Sequence, residues 1–296
     1  MRRVLVIFFL ALSLTVISSA QNRQQTVKVD VDLVQVYATV TDEFNHYVVG
    51  LEPQNFEVYE DKIQQKIEAF SAEDVPLSVG IILDVSGSMK PNLLLAKDAA
   101  VTFLKLGNPE DEYFLVEFSD RAQVTQDFTA DITKLQNHIA FTPSKGMTAL
   151  FDALYLGFEK VRSGSNPRKF LLVITDGGEN HSHYSFSQVR DYAKEQDVQV
   201  YWIQIAGGGG IPTSGTVGDI VEMTGGRRFF ARSPFDLEDI CTKIAIEVKN
   251  QYVIGYHSSN GMRDGKYRRI RMKVNPPKGM AQLFVRAKEG YYAPGN

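Results

Sequence analysis

The sequence predicts an α/β domain with a central, mostly parallel sheet, inserted between two β-rich flanks. Two stretches carry the α/β prediction. Leu77-Ser-Val-Gly-Ile-Ile-Leu-Asp84 and Phe170-Leu-Leu-Val-Ile-Thr175-Asp176 are apolar on both faces and each ends in a carboxylate. A strand apolar on both faces must be covered on both, as in a parallel sheet packed between helices. The third observation is order. From Pro76 onward, strand-like runs alternate with helical runs, the pattern that builds parallel sheets.

The elements follow in turn. Val27, Val29, Val31 and Leu33 alternate with polar residues, and Val34, Val36, Ala38 and Val40 continue on the other parity. That shift predicts a bulge or two successive strands. Phe56–Glu60 reads as a half-buried strand, Asp61-Lys62 as a turn and Ile67–Phe70 as a return strand. A helix follows Pro91-Asn92, with Leu93, Ala96, Ala100 and Leu104 on one face and Gly107 beyond its end. Glu112–Ser119 and Ala122–Phe128 read as paired strands. Leu150, Ala153, Leu154, Gly157, Phe158 and Val161 mark a helix face. Val198–Ala206 is a buried strand, Gly207–Gly210 a loop and Arg227–Ala231 a short last strand. Ser233-Pro234 opens a helix with a good cap and proline at its first position, and its face is Leu237, Ile240, Cys241, Ile244, Ala245 and Val248. Strands return at Tyr252–His257, Tyr267–Val274 and Leu283–Ala287. Neither β flank has enough strands to form a core alone. The expected organisation is therefore a leader at 1–20, an N-terminal β segment at 21–74, the α/β domain at 75–248 and a C-terminal β segment at 249–296. The two flanks are expected to pair into one small β-sandwich, with the α/β domain as an insertion.

Met1-Arg2-Arg3, an apolar run to Ile17 and Ser18-Ser19-Ala20 have the form of a secretory signal peptide cleaved after Ala20. The run is shorter than the ~20 residues a spanning helix needs. The expectation is a secreted or periplasmic protein with no membrane anchor in its mature chain. Cleavage moves the formal charge from −3 to −5, which gives no electrostatic reason to expect nucleic acid as a partner. The single cysteine, Cys241, excludes an intrachain disulfide and sits on an apolar stripe, as a buried inert thiol would.

The chemistry concentrates beyond the strand ends, where open α/β sheets place ligand sites. Asp84, Ser86 and Ser88 alternate, so a loop folded about one point aims three oxygens at it. Hard oxygens suit a hard divalent cation such as Mg²⁺, Mn²⁺ or Ca²⁺. Thr148, in Gly146-Met147-Thr148, opens a helix, and Asp176 ends the second buried strand. Taken singly, each has a plainer reading: turn or cap hydroxyls for Ser86 and Ser88, an N-cap for Thr148, loop solvation for the carboxylates. Together those readings do not explain the coincidence.

The set Asp84-x-Ser86-x-Ser88, Thr148 and Asp176 resembles the metal-ion-dependent adhesion site of von Willebrand factor type A domains, the family that includes integrin I domains. All five positions match in order and spacing. The resemblance covers about residues 75–248, and the flanks more loosely resemble secreted bacterial proteins related to that family. It implies a Rossmann-like fold. It also implies that Ser86, Ser88 and Thr148 bind the cation directly while Asp84 and Asp176 act mostly through waters and hydrogen bonds. Neutral hydroxyls leave much of the ion's charge uncancelled, so an open coordination position favours an Asp or Glu of a partner protein. The expected function is extracytoplasmic, metal-dependent protein binding without catalysis, and no oligomeric state is implied.

Two other functions compete. One is a scaffold whose metal only stabilises the fold. The other is a hydrolase with Ser86 or Ser88 as nucleophile and His181 as base, although neither serine sits in a Gly-x-Ser-x-Gly elbow. Glu179, His181 and His183 follow Asp176 closely and read as a solvated loop bordering the site. Arg269, Arg271 and Lys273 alternate opposite Ile270, Met272 and Val274 and read as a solvated strand face. The glycine run lacks the Gly-Lys-Ser/Thr of a phosphate loop.

Overall fold

The computed structural model describes residues 33–206, 214–233 and 235–295. The leader at 1–20, the alternation from Val27 to Val31, the glycine run and Pro234 lie outside the described residues. Among the described residues, no helix is long and apolar enough to cross a membrane.

Strand β1 (Leu33–Thr41) buries Val34, Val36, Ala38 and Val40, the parity read from the sequence. The short strands β2 (Phe56–Glu60), β3 (Ile63–Gln65) and β4 (Ile67–Ser71) follow. Asp61 and Lys62 both take positive φ between β2 and β3, at 46° and 74°. Two such residues turn the chain with the twist that paired strands need.

The α/β part runs β5 (Leu77–Asp84), α1 (Leu93–Leu106), β6 (Glu112–Phe118), β7 (Ala122–Thr129), α2 (Ile132–Phe141) and α3 (Leu150–Val161). It continues through β8 (Arg168–Thr175), α4 (Phe186–Lys194), β9 (Val198–Ile205), α5 (Ser214–Met223), β10 (Arg228–Ala231) and α6 (Phe235–Lys249). The six strands lie in the order β10-β9-β8-β5-β6-β7, and all pairings are parallel except that of β7 with β6. Every residue of β5 is buried, because helices cover both faces. Val79, Ile81 and Leu83 pack towards α1 and α6, in a cluster with Ala100, Phe103, Ile240 and Ile244. Ile82, between them in sequence, points the other way, towards Ala153, Leu154 and Phe158 of α3. The period of two along the strand thus feeds two separate cores.

Gly80 is where the second core leaves no room. A Cβ there would lie 2.3 Å from Phe114 Cζ and 2.6 Å from Leu171 Cδ2. Gly80→Ala should therefore destabilise the protein by about 1–3 kcal/mol, as overpacking of a close-packed core does. Urea denaturation checks it, and an unchanged midpoint would mean that Phe114 yields freely.

After α6 come β11 (Tyr252–His257), β12 (Tyr267–Val274), β13 (Phe284–Arg286) and β14 (Gly290–Tyr292). Strands from the two ends of the chain interleave in two antiparallel sheets, β13-β1-β11-β4 and β14-β12-β2-β3. Leu33 pairs with His257 and Ala38 with Tyr252, while Phe56 pairs with Val274 and Glu60 with Ile270. Val36, Val58, Tyr252, Ile254 and Ile270 share one apolar cluster, filled by the tilted rings of Phe56, Phe70 and Tyr252. Neither flank makes this core alone. The α/β part interrupts it between β4 and β11, so the strands flanking it form one two-sheet β-sandwich.

Candidate metal centre

Strands β5 and β8 are parallel neighbours with Leu83 opposite Ile174, so their carboxyl ends finish level. Asp84 is fully buried there. Its Oδ1 accepts the Ser86 amide at 2.9 Å and its Oδ2 accepts the Thr175 hydroxyl at 2.6 Å. Burial pushes the Asp84 carboxyl up to about 6 against the pull of those hydrogen bonds, and the nearby charge of Asp176 adds to the rise.

The chain then turns through a short 3₁₀ segment, Gly87–Met89. Ser86 stands at its N-cap position but makes no capping bond. Its Oγ lies 3.0 Å from Ser88 Oγ instead, with Ser86 buried and Ser88 at the surface. The plainer reading of these hydroxyls as caps therefore does not describe them.

Thr148 comes to the same end of the sheet through backbone ties. The Gly87 amide donates to Gly146 O at 2.9 Å, and the Ala149 amide to Ser119 O at 2.8 Å. Gly146 has φ +81°, and a Cβ there would lie 2.5 Å from Asp120 Oδ2. Asp120 Oδ1 accepts the next amide, that of Met147, at 2.7 Å. Only glycine suits a site that combines that φ with so close a carboxylate. Thr148 does not cap α3. That duty falls to Glu179, whose Oε2 accepts the amides of Leu150 and Phe151 at 2.8 and 3.1 Å, and to Ser182, whose Oγ accepts Phe151 and Asp152. A carboxylate at a helix N-terminus also suits the helix dipole. The Thr148 amide donates to Asn180 Oδ1 at 2.9 Å, and Thr148 O accepts the Asn180 amide at 3.0 Å, which joins this loop to the one that follows Asp176.

Asp176 is buried just beyond β8. Its Oδ1 accepts the Gly178 amide at 3.3 Å, and its Oδ2 is buried with no hydrogen-bond partner. An uncompensated buried carboxylate oxygen is costly, and a cation is the partner that would satisfy it. Two carboxylates and three hydroxyls make an all-oxygen donor set of the kind that suits Mg²⁺, Mn²⁺ or Ca²⁺.

The histidines stand apart from this set. His183 Nδ1 lies 2.8 Å from Asp152 Oδ2 at the surface, and the His181 amide donates to Glu179. Among the described residues, no group of three or more His, Cys, Asp or Glu side chains converges as a metal cluster. Sequence reasoning missed Thr175, Asp120, Asn180 and the cap made by Glu179. Each acts by holding backbone or a carboxylate across a long sequence gap, and no local pattern marks it.

Residues 79–179 match the family model for the von Willebrand factor type A domain. A search of curated protein sequences returns no match. Among solved structures, a von Willebrand factor type A protein from Catenulispora acidiphila superposes with TM-score 0.54 at 12% identity, covering 88% of this chain and 72% of its own. Proximal thread matrix protein 1 from the mussel byssus gives TM-score 0.53 at 19% identity, covering 64% of this chain and 51% of its own. BatB, a conserved hypothetical protein from Bacteroides thetaiotaomicron, gives 0.48 at 19% identity, over 58% of this chain and 99% of its own. At these identities the likeness is one of fold. Residues 79–179 carry the match to this family's model, and the β10-β9-β8-β5-β6-β7 sheet gives the α/β part of this chain the fold of a von Willebrand factor type A domain.

Proposed function

We propose that Asp84, Ser86, Ser88, Thr148 and Asp176 hold a divalent cation, Mg²⁺ in the first place, and that this centre binds an Asp or Glu of a partner protein outside the cytoplasm. Domains of this family commonly mediate protein–protein interaction. The observation that carries the finer reading is the orphaned Asp176 Oδ2, buried beside a second buried carboxylate with no cationic side chain among the described residues bonded to either. Two supports accompany it. Among the described residues, the Ser86 hydroxyl lies between Ser88 and the Asp84 carboxylate, the Ser88 hydroxyl bonds Ser86, and the Thr148 hydroxyl makes no hydrogen bond. All three remain available as ligands. The extracytoplasmic setting rests on the signal-like composition of residues 1–20.

The division of labour follows from the surroundings of each group. Asp84 is fixed by Thr175 and the Ser86 amide, so it orients the loop and supplies negative charge from beneath. Ser88 and Thr148 come from loops tied together through Gly87 and Gly146. The bound cation would supply Lewis-acid attraction for an outside carboxylate. A hydrolytic pair of Ser86 or Ser88 with His181 has no geometric support, since the two serine hydroxyls lie against each other and, among the described residues, neither bonds the exposed His181.

The test is capture of partner protein from the cell envelope on the immobilised chain. EDTA should release the partner and Mg²⁺ restore it. Thr148→Ala should weaken the complex by about 2 kcal/mol or more, the loss typical of a central anchor. A complex that survives EDTA at full strength would leave the metal a purely structural role.

A further inference from the structure

The arginine stripe read from the sequence as a solvated face lines a cleft. Arg269 and Arg271 are exposed on the side of β12 away from the sandwich core, where Ile270 and Met272 pack. The cleft they line is open, about 1250 Å³, and its far wall comes from Arg190 and Lys194 of α4 and Asp219, Glu222 and Met223 of α5. Lys62 and Lys273 complete a row of cations on the sheet side. Their cross-strand neighbours decide which of them are free. Lys273 lies opposite Glu57, whose carboxyl it helps hold below the usual range after the hydrogen bonds from Tyr59 and Asn275. Arg271 lies opposite Tyr59 and Arg269 opposite Gly290, so neither faces a carboxylate across the ladder. Among the described residues, neither guanidinium takes part in an ion pair, although Asp61 and Glu289 also line the cleft. Asp61 Oδ1 accepts the Arg269 amide at 3.0 Å. This concentration of cations stands on a chain whose formal charge is −3.

We propose that this cleft docks an extended acidic segment of a partner protein, its alternate carboxylates paired with Arg269 and Arg271. Spacing favours an extended peptide over other polyanions. Alternate residues of a strand stand ~6.6–6.8 Å apart, and side chains on one face of an extended peptide repeat at the same distance. A pair such as Asp-x-Asp laid along β12 therefore meets Arg269 and Arg271, one cation per acidic residue. Arginine's fork binds carboxylate through two parallel bonds, which adds geometry to charge. A small cavity of about 20 Å³ adjoins the cleft and shares Lys194, Met223 and Tyr267 with it. Gln199 lines that cavity, is buried, and its Nε2 has no partner, so a donor stands ready there for an acceptor oxygen. The backbone of β12 pairs with β14 over Tyr267–Arg269 and with β2 over Ile270–Val274, and the proposed recognition is by side chains.

The experiment is fluorescence anisotropy of a labelled peptide of repeating Asp-Ser against the full chain, at low salt and in EDTA, which removes the metal centre from the reading. Binding is expected, weakening as salt rises. Arg269→Glu combined with Arg271→Glu should weaken it roughly tenfold or more, while Lys134→Glu on α2 should leave it unchanged. Should circular dichroism show that the double reversal perturbs folding, Arg269→Gln with Arg271→Gln replaces it, with a smaller loss expected. No peptide binding, equal binding by the double variants, or binding of a uronate polysaccharide in place of the peptide would each overturn the proposal.

Discussion

Asp176→Ala should abolish measurable Mg²⁺ and Mn²⁺ binding in calorimetric titration, weakening it by about a hundredfold or more, the upper end of what losing an orienting carboxylate costs a metal site. It should do so without destabilising the metal-free protein. In the metal-free state Asp176 Oδ2 is buried and unpaired, next to the equally buried Asp84. Deleting one of two like charges, and with it an unsatisfied oxygen, removes a cost rather than a support. Melting of the metal-free variant should therefore match or exceed that of the parent, while the rise that Mg²⁺ gives the parent disappears. A residue that merely capped or solvated a loop would show the reverse: lower stability and no change with metal. Ser88→Ala is the companion variant, since the Ser88 hydroxyl bonds only Ser86. If both variants bind Mg²⁺ as the parent does, the assignment of this centre fails.

The placement of the candidate residues was legible in the sequence because they follow strand ends that local pattern announces. β5 and β8 are apolar on both faces, and α3 shows a stripe from Leu150 to Val161, so the loops between them could be placed. The elements that escaped notice carry little apolar pattern. Helix α2 buries only Leu135 and Ile139, and α4 only Val189 and Ala193, too few to set a stripe against a polar background. β14 is three residues long and is defined by its pairing with β12 rather than by its own sequence. The same limit applies around the site. Asp120 and Glu179 act on amides 27 to 29 residues away, and Thr175 bonds a carboxylate 91 residues away. The stripe of Arg269 and Arg271 was visible, but what it faces depends on where α4 and α5 pack. Periodicity reports which residues share a face; it does not report what stands opposite.

The largest stability effect is expected at Glu247, which joins the α/β part to the sandwich. Glu247 lies on α6 with no exposed surface. Its carboxylate accepts the Arg286 guanidinium from β13, the Tyr201 hydroxyl from β9 and the Tyr47 hydroxyl from the loop after β1, the last at 3.0 Å. Arg227 adds a second cation at 3.5 Å. Burial pushes the Tyr201 hydroxyl well above its ordinary range and the Glu247 charge adds to the rise, so the tyrosine stays a donor at any ordinary pH. Gln251 extends the network, its Nε2 donating to Thr39 Oγ1 at 3.0 Å while its Oε1 accepts from Arg168. Removing one member of a buried, hydrogen-bonded ion pair strands the other, and the cost is about 3–5 kcal/mol. Glu247→Ala strands Arg286 and leaves the buried Tyr201 hydroxyl without its acceptor, while Tyr47 keeps Lys243 O at 3.1 Å, so its loss should fall in that range. Glu247→Gln keeps the volume and one acceptor oxygen, and should lose less, about 1–3 kcal/mol. Urea denaturation read by tryptophan fluorescence and circular dichroism gives both values, and Trp202, buried in the α/β part, reports on that part alone. Because Glu247 spans the junction, its loss should also separate the two signals, the sandwich giving way before Trp202 is exposed. Coincident transitions with a loss below about 1 kcal/mol would show that apolar contacts alone hold the two parts together.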